Sequence, residues 1–291
     1  MMDLIFHLLK QIKNFIKYPL QYSNLLMEDL KKDYFSNNKK EFNKIIIVGA
    51  PKSGTTLLEW ILSEIGYINQ TISPLRIFYE KNLNHEHDLS YKMLKYIPDN
   101  KFSFLKRHSD ATNANIKLIQ DFNFKIILST RNLKDMMISR YLHLISDNRL
   151  PQYAQLKNLS YIDGFKLSLK QNHKKNEVPI KRFSEWFINW EKKIKEKNIE
   201  CLILNYDEFT VDKKKYISKI LEYLNIKDFN PDQIIEKHLV HLKRLKTKNL
   251  KDNLTKNLHA QTYNHDFKDV KSLLKKNFTN EDLKSVLENY N

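Results

Sequence analysis

The sequence predicts an α/β domain, a three-layer arrangement with a central, mostly parallel sheet and helices on both faces. Two patterns lead there. Short apolar runs rich in β-branched residues alternate along the chain with longer segments of helical periodicity. The first such run, Ile45, Ile46, Ile47 and Val48, is continuously apolar, as a strand covered on both faces must be. With 291 residues, 41% of them hydrophobic, and with 16 Phe, 15 Tyr and 3 Trp, the chain can bury a sizeable core, which excludes disorder throughout.

Residues 1–40 read as an amphipathic extension and linker, and residues 41–291 as the domain proper. Leu4, Ile5, Leu8, Leu9, Ile12, Phe15 and Ile16 recur at helical spacing, with Lys10, Lys13 and Lys17 largely opposite. That stripe suits a helix packed on the domain or one in peripheral contact with a membrane through residues 4–17. After the first strand a helix is expected over 55–64, carrying Leu57, Leu58, Trp60 and Ile61, with Gly66 placed to end it. Residues 102–105 and 125–130 read as further strands, and 133–146 as a helix. Phe183, Trp186, Phe187, Trp190 and Ile194 line another helix, followed by a strand over 201–205 and a helix over 213–224. Residues 170–182 and 241–257 read as loops. The second is crowded with Lys243, Arg244, Lys246, Lys248 and Lys251, a solvated basic face or a lid over an anion.

Fifty Lys and Arg against 34 Asp and Glu give a formal charge of +16, which favours an anionic ligand without choosing its class. One cysteine, Cys201, excludes an internal disulfide framework and a multi-cysteine zinc site. His85 and His87, or His238 and His241, lack a third ligand at a recognisable spacing, so no metal is expected. No run approaches the roughly 18 apolar residues of a membrane span. Asp3, His7 and Lys10 spoil a secretory signal, and the expectation is a cytoplasmic protein.

Two of only four glycines fall in Gly49-Ala50-Pro51-Lys52-Ser53-Gly54-Thr55-Thr56, between a buried strand and a helix. Backbone N–H groups and a helix start then converge on one spot, where Lys52 adds charge and Ser53, Thr55 and Thr56 add hydroxyls: a phosphate site. A nucleoside triphosphatase would place lysine where Thr55 stands. Here the lysine precedes Gly54, and the third strand ends in Thr130-Arg131, where a metal-binding aspartate would be useful. The loop suits an anion without a metal.

Pro51-Lys52-Ser53-Gly54-Thr55-Thr56 resembles the 5′-phosphosulfate loop of sulfotransferases that use 3′-phosphoadenosine 5′-phosphosulfate (PAPS). Arg131-Asn132-Leu133-Lys134-Asp135, with Ser139 downstream, is similar to the family's 3′-phosphate element, Arg-Asn-Pro-Lys-Asp and a later Ser. Lys106-Arg107-His108 resembles its catalytic Lys-Thr-His, and Tyr206 in Leu204-Asn205-Tyr206-Asp207-Glu208 matches its Tyr-Glu-Asp segment near adenine. Lys275-Lys276-Asn277-Phe278-Thr279 resembles its closing Lys-Asn-His-Phe-Thr. Phe267-Lys268-Asp269 stands where the family has Arg-Lys-Gly on the 3′-phosphate, so only Lys268 matches, and Leu57 replaces the tryptophan that stacks on adenine.

The resemblance implies a P-loop-type three-layer fold and metal-independent transfer of a sulfuryl group from PAPS to a hydroxyl or amine, leaving 3′,5′-adenosine bisphosphate (PAP). It implies His108 as general base, Lys52 at the bridging oxygen and Lys106 on the transferring group. Ser53, Gly54, Thr55 and Thr56 would hold the 5′-phosphate, Arg131, Ser139 and Lys268 the 3′-phosphate, with Tyr206 near adenine. A nucleoside kinase or triphosphatase is the alternative. A nucleic-acid-binding module would leave the loop unexplained, so no nucleic-acid partner is expected. The acceptor, a small molecule, glycan or lipid, would meet residues 69–101, the helix after Arg131 with Tyr141 and His143, and residues 146–156. Phe78, Tyr79 and Tyr153 would suit a ring; Arg76, Arg140 and Arg149 would suit an anion. No dimerisation segment is recognisable, which leaves the oligomeric state open.

Overall fold

The computed structural model describes residues 44–70, 88–95, 97, 101–148, 150–170, 178–249 and 267–288. The N-terminal helix expectation, Arg76, Phe78, Tyr79, His85, His87 and Arg149 lie outside them. The first half of the chain gives β1 (Lys44–Gly49), α1 (Thr55–Glu64), β2 (Ile68–Asn69), α2 (Tyr91–Lys95), β3 (Ser103–Arg107), α3 (Asn113–Asp121), β4 (Phe124–Thr130) and α4 (Leu133–Ser146). The second half gives α5 (Tyr153–Leu156), α6 (Tyr161–Lys170), α7 (Pro179–Glu196), β5 (Cys201–Asn205), α8 (Tyr206–Val211), α9 (Lys213–Tyr223), α10 (Pro231–Asn249), α11 (Lys268–Asn277) and α12 (Asn280–Glu288).

The strands form one sheet in the order β2-β3-β1-β4-β5, every neighbouring pair parallel. β1 is central, and all six of its residues are buried. Its side chains alternate between two cores. Ile46 and Val48 join Leu105, Ile126 and Leu128 under Met136, Tyr141, Phe165, Trp190 and Leu274 of α4, α6, α7 and α11. Ile45 and Ile47 join Phe104, Ile127 and Leu204 under Leu58, Ile61, Phe209, Ile217 and Ile234 of α1, α8, α9 and α10. This is the expected α/β sandwich of three layers.

Four elements differ from expectation, one of them α7, which begins at Pro179 inside the stretch 170–182 that reads as a loop, a Pro at the first helical position being favourable there. β3 is displaced to Ser103–Arg107, so Lys106 and Arg107 are strand residues paired with Ile47 and Val48, and His108 is the first residue beyond the strand. Pairing with β1 sets that register, overriding the polarity that reads as a strand end. β2 is two residues long on the sheet edge, too short to carry a periodic signal. The segment beginning at His241 continues α10 as far as Asn249 instead of opening a loop. Ile234 and His238, four apart, bury one face of its first half, and lysine is a good helix former. Among the described residues no helix is long and apolar enough to cross a membrane.

Trp186 and Trp190 of α7 each donate an indole N–H to the Ser109 carbonyl, at 3.0 and 2.9 Å, tying α7 to the chain just past His108. Cys201 lies in β5 against the first core, as the sequence suggests, and burial pushes its thiol up to about 12. Trp190 is fully buried. Replacing it with alanine leaves a large void and one fewer donor, and lowers unfolding stability by about 3–5 kcal/mol, read from the denaturant midpoint at constant slope.

Candidate functional site

Strand register gathers the sequence motifs at one edge. Gly49 of β1 lies opposite Ser129 of β4, Val48 opposite Arg107 of β3, and Thr130 opposite Asn205 of β5. The loop 50–54, His108, Arg131 and Tyr206 therefore leave the sheet side by side. This is the crevice at the carboxyl ends of the strands, where the chain departs to opposite sides of β1 and ligands bind in open α/β sheets.

The loop is tight. A Cβ on Gly49 would stand 2.5 Å from Thr55 Cγ2 and 2.6 Å from Ser53 Oγ. Lys52 holds φ at 74°, a left-handed conformation rare for a side-chain-bearing residue, and Gly54 holds 103°. Three loop carbonyls are engaged by side chains from neighbouring strands. His108 Nδ1 donates to Gly49 O, Arg131 Nη1 to Lys52 O at 3.0 Å, and Ser129 Oγ to Ser53 O at 2.7 Å. α1 starts at Gly54 with no capping side chain and no carboxylate in its first turn, so its leading amides and positive dipole end are open to an anion. The Ser53 hydroxyl is buried, with no hydrogen-bond partner among the described residues. Thr55 is buried and Thr56 half-buried at the helix start.

Since a carbonyl only accepts, the His108 contact places the proton on Nδ1 and leaves Nε2 as the basic nitrogen of the neutral ring. Lys106 Nζ forms a close ion pair with Glu59 of α1, both side chains largely buried, and Asn69 Nδ2 donates to Glu59 Oε1 at 3.4 Å. Burial, with Arg131 and Lys106 adding like charge, lowers the Lys52 pKa to about 8. Three cations thus crowd one locus.

Arg131 is fixed on several sides. Its guanidinium carbon stands 4.7 Å from the centroid of Tyr206, and Nε stands 3.7 Å from Asp207 Oδ1. Asp207 also accepts from the Asn132 amide at 2.8 Å, and Asn132 caps α4 by accepting from the Asp135 amide at 3.3 Å. The Tyr206 ring packs on Gly54 so closely that a Cβ there would lie 2.8 Å from Tyr206 Cγ. Ser139 is buried on α4. Lys268 is exposed at the start of α11, with no hydrogen bond or ion pair to Arg131, Asp135 or Asp207 among the described residues.

A family model described as the sulfotransferase domain matches residues 42–289, nearly the whole chain. The chain belongs to the sulfotransferase family. It is 25% identical to sulfotransferase 1E1 of Bos taurus over 237 residues, 73% of this chain and 70% of that protein. Among solved structures it resembles mouse sulfotransferase SULT7A1 complexed with PAP, with 22% identity, a TM-score of 0.47, and coverage of 67% of this chain and 64% of that one. A retinol dehydratase in complex with retinol and PAP shows 16% identity and a TM-score of 0.43, over 70% of this chain and 66% of that one. The chain therefore spans just under two thirds of the length of these solved structures.

In this member of the family several site residues carry no signal of their own in the sequence. Glu59 follows Leu57 and Leu58 on an apolar helix and looks like an ordinary polar position; only the alignment of α1 with β3 brings it to Lys106. Ser129 and Asp207 stand directly beside motif residues but act through the loop carbonyl and the α4 start. Leu57, in the place of the family tryptophan, is buried in the core. Trp60, one turn later and half-buried, packs on His238 with ring centroids 4.8 Å apart. Because Gly54 combines a positive φ with the Tyr206 ring, Gly54→Ala is expected to cost on the order of 1–3 kcal/mol of stability, measured by denaturant unfolding.

Proposed function

We propose that this sulfotransferase moves the sulfuryl group of PAPS to a hydroxyl or amine of a small-molecule, glycan or lipid acceptor. The observation that carries the reading is the loop. Its carbonyls at 49, 52 and 53 are engaged by His108, Arg131 and Ser129, while an uncapped helix start and Lys52 serve the other side. Such a surface accepts phosphate oxygens and repels nothing anionic.

In this mechanism the 5′-phosphate of PAPS lies on the amides of Gly54, Thr55 and Thr56, with the Ser53 hydroxyl beneath. Arg131 and Ser139 take the 3′-phosphate, and Tyr206 walls the nucleotide side of the loop. The acceptor oxygen or nitrogen attacks sulfur as the bond from sulfur to the bridging oxygen breaks. His108 Nε2 receives the acceptor proton, and the electron pair leaves with the 5′-phosphate of PAP, where Lys52 stabilises the growing charge. Lys106, aligned by Glu59, neutralises the sulfuryl oxygens in flight. Positioning and electrostatics supply the rate enhancement, as in phosphoryl transfer.

Calorimetric titration with PAP in EDTA tests the reading. Wild type binds, and Lys52→Ala and Arg131→Ala each weaken binding about tenfold or more, the worth of a charge-assisted phosphate contact. Binding of ATP with magnesium but not of PAP would replace this reading with a nucleoside kinase. His108→Asn keeps a donor for the Gly49 carbonyl but no base, and is expected to bind PAP normally while turnover falls about 10²–10⁴-fold. Lys52 is charged below about 8 and neutral above it. PAP affinity therefore falls as pH rises through that value, and Lys52→Ala flattens this part of the profile.

A further inference from the structure

Helix α11 brings two lysines, which none of the sequence motifs assigns to the nucleotide, to the charge cluster at the start of α4 that includes Arg131, Asp135 and Asp207. Val270, Leu274 and Phe278 bury its inner face in the first core, and the helix packs on α4 and α6. Beside that apolar stripe, Lys275 Nζ bridges Asp135 Oδ1 at 2.6 Å, pinning α11 to the first turn of α4. Lys271 lies four residues earlier, on the same side of the helix. It is half-buried, among the charges of Arg131, Lys275, Asp135 and Asp207.

The two carboxylates of this group are already engaged. Asp135 holds Lys275, and Asp207 faces Arg131 and accepts from the Asn132 amide. Lys271 has no ion pair among the described residues. Burial and the neighbouring cations hold its pKa below the ordinary lysine value, the condition of a cation that an incoming anion would stabilise. Arg131 brings one positive charge to a phosphate dianion, and that charge already faces Asp207. One of its N–H groups is spent on the Lys52 carbonyl, and Nε is turned toward Asp207. Lys268, one turn before Lys271, lies farther along α11 from the Asp135 tether and is exposed.

We propose that Lys271 is the second cation, with Arg131, on the 3′-phosphate of the sulfuryl donor, and that the Lys275–Asp135 bridge holds it in reach. It takes the place that Lys268 would hold by linear correspondence with the family's Arg-Lys-Gly. The assignment rests on the PAPS reading of the site. It makes α11 the element by which the enzyme selects a 3′-phosphorylated nucleotide over its unphosphorylated counterpart.

The test compares PAP with 5′-AMP, which differs by the 3′-phosphate alone, in calorimetric titrations of the full chain. Lys271→Ala is expected to weaken PAP about tenfold or more and to change 5′-AMP by no more than about twofold, as loss of a charge-assisted contact to one phosphate requires. Lys271→Arg recovers most of the PAP affinity. Lys276→Ala, removing an exposed charge from the same helix, leaves both ligands unchanged. Equal weakening of PAP and 5′-AMP by Lys271→Ala, or no weakening of either, overturns the assignment. If wild type binds PAP no more tightly than 5′-AMP, the PAPS reading falls and this assignment falls with it.

Discussion

The hydrogen bond from Arg131 to the Lys52 carbonyl joins two segments 79 residues apart in sequence, and much of the site depends on it. A loop that receives an anion must turn its amides inward and its carbonyls outward, since a carbonyl oxygen facing a phosphate is repelled. Turning Lys52 that way demands a left-handed backbone that a lysine does not adopt for free. The guanidinium compensates by binding the outward carbonyl, and Ser129 and His108 do the same at Ser53 and Gly49. Each of these three donors comes from β3 or β4 or from just beyond their ends. The loop therefore keeps its shape only while β1 stays between those two strands.

Electrostatic strain in the site is managed by pairing rather than by dilution. Lys106 meets Glu59, Arg131 faces Asp207 and Lys275 meets Asp135. Each carboxylate belongs to a helix that starts at the same sheet edge, at or near its first turn, so the acids that restrain the cations are as rigidly placed as the cations. A largely buried pair such as Lys106–Glu59 adds little net stability, because desolvation offsets its attraction, and the more exposed Lys275–Asp135 pair is screened by water, but each fixes where a charge stands. Lys52 has no carboxylate among these pairs, and burial, with the like charges of Arg131 and Lys106, lowers its pKa.

How much of this was legible in the sequence follows from the range of each interaction. β1, the phosphate loop and α1 are contiguous, and their signals, a β-branched run, paired glycines and a helical apolar stripe, lie within one short window. The three-layer architecture follows from repeating that alternation. His108 and Arg131 were legible through their resemblance to family elements, and the strand register brings them to the loop. Glu59 and Lys271 were not legible, because each matters through a face shared with an element distant in sequence. For Lys271 the linear comparison pointed to Lys268, three residues away, and the Asp135 bridge that distinguishes the two exists only after α11 packs on α4. Dense lysine hid the continuation of α10, whose buried face is marked among the described residues by Ile234 and His238 in a mainly polar stretch.

The state of Cys201 has a practical consequence for spectroscopy. It is the chain's single thiol, and with its ionisation pushed up to about 12 it stays protonated at neutral pH and is a poor nucleophile. A cysteine introduced on an exposed helical face would react with a maleimide in preference to it. The native sequence thus already serves as a background for attaching one fluorophore or spin label at a chosen place beside the cleft, and the surroundings of that place can be followed as ligand is added without first replacing the native thiol.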